Sequence, residues 1–148
     1  MSKAVIEVKG LHKIYEGAVP VKAVNGIDLV VSEGEFTALK GPSGCGKTTL
    51  LNLLGGLDQP NSGSIIIDGT DITGLSDNEL IDFRLNHIGF VFQAYNLIPV
   101  LSATENVSFI MLLQNHSKNE RLERANQLLK AVGLAGKEDK RPGELSGG

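Results

Sequence analysis

The residues with the clearest chemical potential occupy positions 41–49, which read G-P-S-G-C-G-K-T-T. This segment fits the phosphate-binding pattern G-x-x-x-x-G-K-[ST] at every defined position. Glycines let successive backbone N–H groups turn inward around phosphate oxygens, and a helix beginning near Gly46 adds the positive end of its dipole. Lys47 would reach the outer phosphates, while the Thr48 hydroxyl would ligate a bridging Mg²⁺ ion. The segment therefore predicts a nucleoside triphosphate site.

The flanking residues supply the context that this pattern requires. Residues 35–40 predict a short strand before the loop, and residues 50–54 predict the continuation of a helix after it. Thr49 is expected to make a further phosphate contact. The predicted ligand contacts of the loop are Gly41, Ser43, Gly44, Cys45, Gly46, Lys47, Thr48 and Thr49.

The elements that must position this loop follow from local patterns. Alternating or buried apolar runs predict strands at 4–8, 27–31, 64–67 and 88–92, the second pairing with the first. A tight turn is expected at Asp68-Gly69. Capping-box patterns at 76–79 and 102–105 predict helices over about 77–85 and 103–113, and apolar spacing predicts another over 120–132.

Two further residues stand where a ligand could be contacted. Tyr15 falls in the predicted connection 13–20, where its ring could stack on a purine base or simply pack half-buried. Gln93 ends the predicted strand 88–92, and ligands collect at the carboxyl edge of such strands in α/β folds. Spacing alone leaves Gln93 equally open to being an ordinary surface glutamine.

Bulk composition describes a globular protein without a general affinity for polyanions. The chain has 148 residues, 41% hydrophobic and 21% charged, enough for a sizeable core. Its net charge of −3 gives no overall attraction to nucleic acid or to an anionic membrane. The single cysteine, Cys45, excludes an internal disulfide, and the absence of a leader favours the cytoplasm. Strands give way to helices near Ala94, so we predict a core at 1–93 that carries the phosphate-binding segment and a helical subdomain at 94–148.

Taken together, the motifs resemble the nucleotide-binding domain of ATP-binding cassette (ABC) transporters over residues 5–148. The resemblance rests on the loop 41–49, on Gln93 within the sequence F-V-F-Q, and on L-S-G-G at 145–148, which matches the start of the family's signature motif. It implies an α/β P-loop NTPase fold, with a RecA-like core, an antiparallel β subdomain and an α-helical subdomain, truncated at its C-terminal end.

The resemblance also implies roles, cofactors and partners. ATP and Mg²⁺ would be the ligands, with the Tyr15 ring stacked on adenine and Gln93 sensing the metal and the γ-phosphate. Ser146, Gly147 and Gly148 would contact ATP held by a second nucleotide-binding domain in a head-to-tail dimer. The partner would be a transmembrane permease subunit, placing the chain in the cytoplasm on the inner face of the membrane.

Residues 95–107 look most like those of lipoprotein and macrolide exporters, while the transported substrate is not readable from a cassette. The family's catalytic glutamate, metal-coordinating aspartate and switch histidine are not found, and His12, His87 and His116 match none of these roles. We therefore expect this chain alone to bind ATP without hydrolysing it. A cassette ATPase of DNA repair or translation would share every motif. A GTPase or a small-molecule kinase is disfavoured, because no N-K-x-D segment occurs and no arginine-rich lid follows the loop.

Overall fold

The computed structural model describes residues 3–145, and contacts divide the chain after Arg84 into a first unit (1–84) and a second unit (85–148). The first unit carries the β-sheet and the phosphate loop, and the second is mainly helical. The boundary expected after Gln93 rests on the change from strand to helix patterns and stays a prediction.

An antiparallel sheet of four strands, in the order β2-β1-β3-β4, forms the scaffold of the first unit. The strands are β1 (Ala4–Tyr15), β2 (Val21–Ser32), β3 (Ser62–Ile67) and β4 (Thr70–Asp71). The turn between β3 and β4 is the expected one, with Asp68 and Gly69 both at positive φ. The pairing of the first two predicted strands is also confirmed, although both are longer than expected.

A glycine pair allows the central strand to bend. The register of β1 shifts around Gly10, whose φ is 54°, which is the mark of a β-bulge. A Cβ on Gly63 of β3 would lie 2.5 Å from the carbonyl oxygen of Gly10. The two backbones can approach this closely only because Gly63 carries no side chain.

Helix α1 (Lys47–Leu54) follows the phosphate loop, and α2 (Asp77–His87) follows a single 3₁₀ turn (Ile72–Gly74). Leu50 and Leu53 give α1 one buried face, and Leu80 and Phe83 do the same for α2. The buried core of the first unit comprises Val8, Leu11, Val24, Leu50, Leu53, Ile65, Ile67, Ile72, Leu80 and Phe83.

The second unit packs α3 (Ala103–Leu113) against α4 (Lys118–Ala131) around buried Ala103, Ala125 and Leu129. Each helix begins with a complete capping box, Ser102 with Glu105 and Ser117 with Glu120, in which each partner's side chain bonds the other's backbone N–H. A second 3₁₀ turn (Pro142–Glu144) comes near the end of the described chain.

The irregular segment before α3 is held by one amide side chain. Asn106 accepts the N–H of Ile98 at 2.8 Å and donates to the carbonyl oxygens of Ile98, Leu101 and Ser102 at 2.9–3.1 Å. Backbone groups that no regular element pairs are thereby satisfied.

Two predicted strands are wrong. Residues 35–40 and 88–92 form no strand, and within residues 3–145 no other strand pairs with either of them. A strand exists only through hydrogen bonds to a neighbour, so apolar composition alone did not suffice. The second segment was also expected to be buried, but Val91 is fully exposed, and Phe90 and Phe92 stack on each other with ring centroids 5.6 Å apart. Gln93 consequently lies in an exposed bend rather than at a strand end.

The structure also corrects the surroundings of Tyr15. The expected connection 13–20 is shorter, because β1 continues to Tyr15, which pairs with Val21 of β2. Tyr15 is therefore fixed at the end of a hairpin and not placed in a loop. The α/β class, with an antiparallel sheet and a separate helical part, is as predicted from the sequence.

Candidate nucleotide-binding site

The phosphate loop enters α1 with its first N–H groups uncapped by any side chain. Gly46 is the N-cap residue, with φ 90° and ψ 7°, and no acidic residue occupies the first turn of the helix. The orphan N–H groups of a helix N-terminus attract anions, and here no protein carboxylate competes for them. The expected helix start near Gly46 is thus confirmed.

Glycine is required at the point where the loop meets the sheet. A Cβ on Gly46 would lie 2.1 Å from the carbonyl oxygen of Ala23 in β2, a distance that no side chain could tolerate. Gly44 also has a positive φ, 79°. Glycine adopts these conformations without strain. Because Gly44 and Gly46 carry no side chains, a bulky anion can approach the N–H groups of the loop.

Lys47, the first residue of α1, folds back across the loop. Its Nζ donates to the carbonyl oxygens of Gly41 at 2.9 Å and Pro42 at 2.7 Å, and lies 3.5 Å from Cys45 Sγ. A lysine ammonium is a compact charge with three donors, so it can bind carbonyl oxygens or phosphate oxygens from the same position. The Lys47 ammonium is therefore held beside the loop where it is predicted to bind phosphate.

One cavity of about 490 Å³ joins this loop to Tyr15. Its lining comprises Tyr15, Val21, Lys22, Ala23, Ser43, Gly44, Cys45, Gly46, Lys47, Thr48 and Thr49. An adjoining cavity of about 380 Å³ shares Lys22, Ala23, Cys45, Gly46 and Lys47 with it. The structure thus brings together the predicted residues from 43 to 49 with Tyr15, and Gly41 contributes its carbonyl oxygen to Lys47.

The β2 wall of this cavity was missed by the sequence analysis. Val21, Lys22 and Ala23 line it because the β1–β2 hairpin places Val21 directly opposite Tyr15. The sequence would have indicated these residues had the first strand been extended to Tyr15. The strand that pairs with it must then begin just after the turn, near Val21. Lys22 adds a second lysine to the cavity wall.

Tyr15 itself is anchored by Asp58, a second residue that the sequence analysis missed. The Tyr15 hydroxyl donates to Asp58 Oδ2 at 2.9 Å, while Lys13 Nζ donates to Asp58 Oδ1 at 2.6 Å. Partial burial raises the pKa of the Asp58 carboxyl, but hydrogen bonds from Lys13, Tyr15 and the Gln59 N–H outweigh it and hold that pKa below its ordinary value. The Asp58 carboxyl is therefore ionised at neutral pH.

The remaining predicted site residues belong to the second unit. Gln93 is exposed in its bend, and its predicted contact with metal and γ-phosphate stays a prediction. Ser146, Gly147 and Gly148 lie outside the described residues. His12 is half-buried in β1, whereas His87 and His116 are exposed.

The donor set suits a metal that is bound chiefly through phosphate. Within residues 3–145, His, Cys, Asp and Glu side chains form no cluster of three or more able to hold an ion. Thr48 lines the cavity and is exposed, so its hydroxyl is free to meet a ligand there. Mg²⁺ characteristically keeps few protein ligands and binds substrate phosphates.

An uncapped glycine-rich loop at the start of a helix, with its lysine held across it beside an antiparallel sheet, defines a P-loop nucleotide-binding domain. More specifically, the chain belongs to the ABC transporter family, whose family model matches residues 24–148. The resemblance noted from the sequence is confirmed.

Relatives of known name agree with this placement. The chain is 44% identical to the macrolide export ATP-binding/permease protein MacB of Escherichia coli, over 99% of this chain and 23% of that protein. It is 45% identical to an uncharacterized ABC transporter ATP-binding protein of Thermotoga maritima, over 99% of this chain and 63% of that one. The chain thus spans between about a quarter and two thirds of the length of these relatives, and its likeness to the macrolide-exporter subtype is confirmed.

A solved structure carries the same fold. The ATP-binding cassette MJ0796, determined as a dimer in a post-hydrolysis state bound to ADP and Pi, superposes with a TM-score of 0.86 at 39% identity. The match covers 96% of this chain and 63% of that one. The predicted fold class is therefore that of an ABC cassette. Among residues 3–145, no helix is both long and apolar enough to cross a membrane.

Proposed function

We propose that this chain is the ATP-binding part of an ABC exporter, in which ATP binding and hydrolysis drive a partner permease. The observation that carries the proposal is the single cavity lined by Tyr15 together with residues 43–49, including Lys47. A base at Tyr15 and phosphates at the loop would together occupy this cavity as one nucleotide.

Each side chain has a role that follows from its chemistry. The Tyr15 ring stacks on the adenine base, because an aromatic face binds a flat purine. The backbone N–H groups of the loop and the Lys47 ammonium hold the phosphates. The Thr48 hydroxyl would hold Mg²⁺, an ion that neutralises charge on the outer phosphates. A metal contact by Gln93 stays a prediction from the family resemblance.

Hydrolysis is not expected from this chain alone, because the glutamates of the second unit already have structural duties. Glu105, Glu120 and Glu144 accept the backbone N–H groups of Ser102, Ser117 and Arg141 in that order. Glu138 accepts the N–H of Gly136, and Glu123 accepts the side-chain amide of Gln127. A carboxylate bound to a helix start is a poor candidate for polarising an attacking water.

The partners follow from the relatives. MacB is named as an ATP-binding/permease protein, and MJ0796 is described as a dimeric cassette. We propose by analogy that a transmembrane permease and a second cassette in a head-to-tail dimer complete the transporter, with Ser146, Gly147 and Gly148 facing the nucleotide of the opposing cassette. The chain would then lie in the cytoplasm, against the inner face of the membrane.

Calorimetric titration with two ligands tests the proposed site. MgATP and magnesium tripolyphosphate both carry three phosphates, but only ATP carries a base. Tyr15→Ala should weaken ATP alone, because tripolyphosphate offers nothing to stack. Equal loss for both ligands would refute the role of Tyr15, and failure of the unaltered chain to bind ATP would refute the proposed function.

A further inference from the structure

Three residues of the first unit form a polar cluster beside the cavity, which we call the Tyr15 anchor: Lys13, Tyr15 and Asp58. Lys13 and Tyr15 are two apart on β1, so their side chains leave the same face of the sheet. Asp58 comes from the loop between α1 and β3. Its carboxylate binds both, with Lys13 on one oxygen and Tyr15 on the other.

Burial marks this ion pair as unusual. The side chain of Lys13 is only 13% exposed and that of Asp58 27% exposed, whereas lysine is almost never buried without a partner. Lys13 Nζ also donates to the carbonyl oxygen of Gln59 at 2.7 Å. By contrast, the ion pair of Asp68 with Lys3, the residue just before β1, is more than half exposed on both sides.

The loop that carries Asp58 is itself tied to β1. The Asn61 N–H donates to the carbonyl oxygen of His12 at 2.9 Å, and Asn61 Oδ1 accepts the Ile14 N–H at 2.7 Å. These bonds flank Lys13 on the strand. Asp58 is therefore held in place independently of its own contacts with the anchor.

The ammonium of Lys13 also occupies one face of the tyrosine ring. Lys13 Nζ lies over the Tyr15 ring, 5.1 Å from its centroid, a cation–π arrangement. The ring nevertheless remains 41% exposed and lines the cavity with the phosphate loop. A base can therefore stack only on the face that Lys13 leaves open.

We propose that Lys13 and Asp58 are positioning residues for nucleotide binding, which hold the Tyr15 ring in its stacking orientation and direct the base to one face. This inference rests on the proposed function, in which Tyr15 stacks on adenine. The hydroxyl bond to Asp58 prevents the ring from swinging away, and Lys13 blocks the opposite face. Pre-organisation of this kind increases affinity because less side-chain freedom is lost on binding.

The test compares ATP with tripolyphosphate in variants of the anchor. Asp58→Asn and Lys13→Met should each weaken MgATP binding by about three- to tenfold, the range of one net hydrogen bond. Both should leave magnesium tripolyphosphate unchanged, because the phosphate loop is untouched. Lys3→Met, which removes the exposed ion pair just before β1, is the matched control and should alter the affinity for neither ligand.

A double-mutant cycle separates positioning from a merely structural role. In the Tyr15→Ala background, Asp58→Asn should have no further effect on ATP, since no ring remains to be positioned. A full additional loss there, or equal loss of both ligands in Asp58→Asn, would overturn the inference. If the Asp58→Asn variant does not fold, Tyr15→Phe takes its place, because it removes only the hydroxyl that donates to Asp58. Unchanged ATP affinity in Tyr15→Phe would also overturn the inference.

The same measurements distinguish the two proposals. If Tyr15→Ala weakens ATP and tripolyphosphate equally, the adenine site itself is wrong. If Tyr15→Ala weakens ATP selectively while Asp58→Asn and Lys13→Met do not, the site stands and only the positioning role falls.

Discussion

Gly46 of the phosphate loop and Ala23 of β2 approach so closely that a Cβ on the glycine would lie 2.1 Å from the alanine carbonyl oxygen. The loop therefore rests directly on the backbone of β2, which lines the same cavity. Since Gly46 also caps α1, one contact sets the position of the loop and of the helix that follows it.

Replacing Gly46 by Ala should abolish ATP binding and lower the free energy of unfolding by more than about 2 kcal/mol, through strain at positive φ and displacement of the loop from Ala23. Calorimetry and chemical denaturation measure the two effects. Gly34→Ala is the matched control, because Gly34 has φ 74° but open space around its Cβ position. If both variants bind ATP normally, the contact with Ala23 does not position the loop.

Lys47→Ala should weaken ATP binding by about 2 kcal/mol or more, roughly 30-fold, because charge-assisted bonds to phosphate are lost. The variant also loses the bonds to Gly41 and Pro42, so circular dichroism must show that the fold persists. Lys9→Ala removes an exposed lysine from β1 and serves as control. Unchanged affinity in Lys47→Ala would contradict the phosphate-loop assignment.

Cys45 offers a chemical probe of the same cavity. It is exposed, lines the cavity, and is the only cysteine in the sequence, so alkylation of the chain reports this residue alone. Bound MgATP should slow its reaction with iodoacetamide by covering the thiol, as mass spectrometry would measure. An alkylation rate that is indifferent to nucleotide would show that Cys45 lies outside the occupied volume.

Residues 1–148 should show no ATPase activity above that of their own Lys47→Ala variant. Glu105, Glu120 and Glu144 of the second unit each accept a backbone N–H, so none of these three carboxylates is free to polarise an attacking water. A chain extended by the residues that follow the matching segment in relatives should release phosphate. Robust steady-state turnover by residues 1–148 would refute the expectation.

Helix α4 should lose stability in acid through Glu120. Hydrogen bonds from the Ser117 hydroxyl and then from the Ser117 N–H hold the pKa of the Glu120 carboxyl below its ordinary 4.5. Because the folded-state pKa is lowered, the stabilisation is complete above about pH 4.5 and is lost as pH falls through the lowered value. Glu120→Gln should remove this part of the acid dependence of unfolding, followed by circular dichroism.

The control for that titration lies on the same helix. Glu123→Gln changes an exposed glutamate that bonds only the side chain of Gln127, and it should keep the acid transition of the unaltered chain. If the Glu120→Gln and Glu123→Gln variants unfold over the same acid pH range, the capping carboxylate of Glu120 does not control the stability of α4.

Short sequence patterns correctly predicted the features that depend on neighbouring residues only, such as helix starts and tight turns. The glycine pattern predicted α1 and its start, and the serine–glutamate spacing predicted the start of α3, because caps and loops involve residues within a few positions of one another. The Asp68-Gly69 turn follows for the same reason. Positive φ and cap bonds are properties of three or four residues.

The failures involve partners that are distant in sequence. Residues 35–40 and 88–92 have strand-like composition, but a strand needs a neighbour that composition cannot specify. Lys13 and Asp58 are 45 residues apart, so no local pattern could have revealed the ion pair beside Tyr15. The surroundings of Tyr15 were therefore less predictable from the sequence than the glycine-rich loop at 41–49.

The segments at 35–40 and 88–92, which form no helix or strand, also affect how concentrated samples behave. Within the described residues neither segment pairs with a strand, and the Phe36 and Val91 side chains are 96% and 101% exposed. Unpaired backbone with apolar side chains is a template for strand addition between molecules. We therefore expect turbidity to rise steeply with protein concentration as the chains aggregate. The onset of turbidity sets the highest protein concentration at which a binding titration can be made.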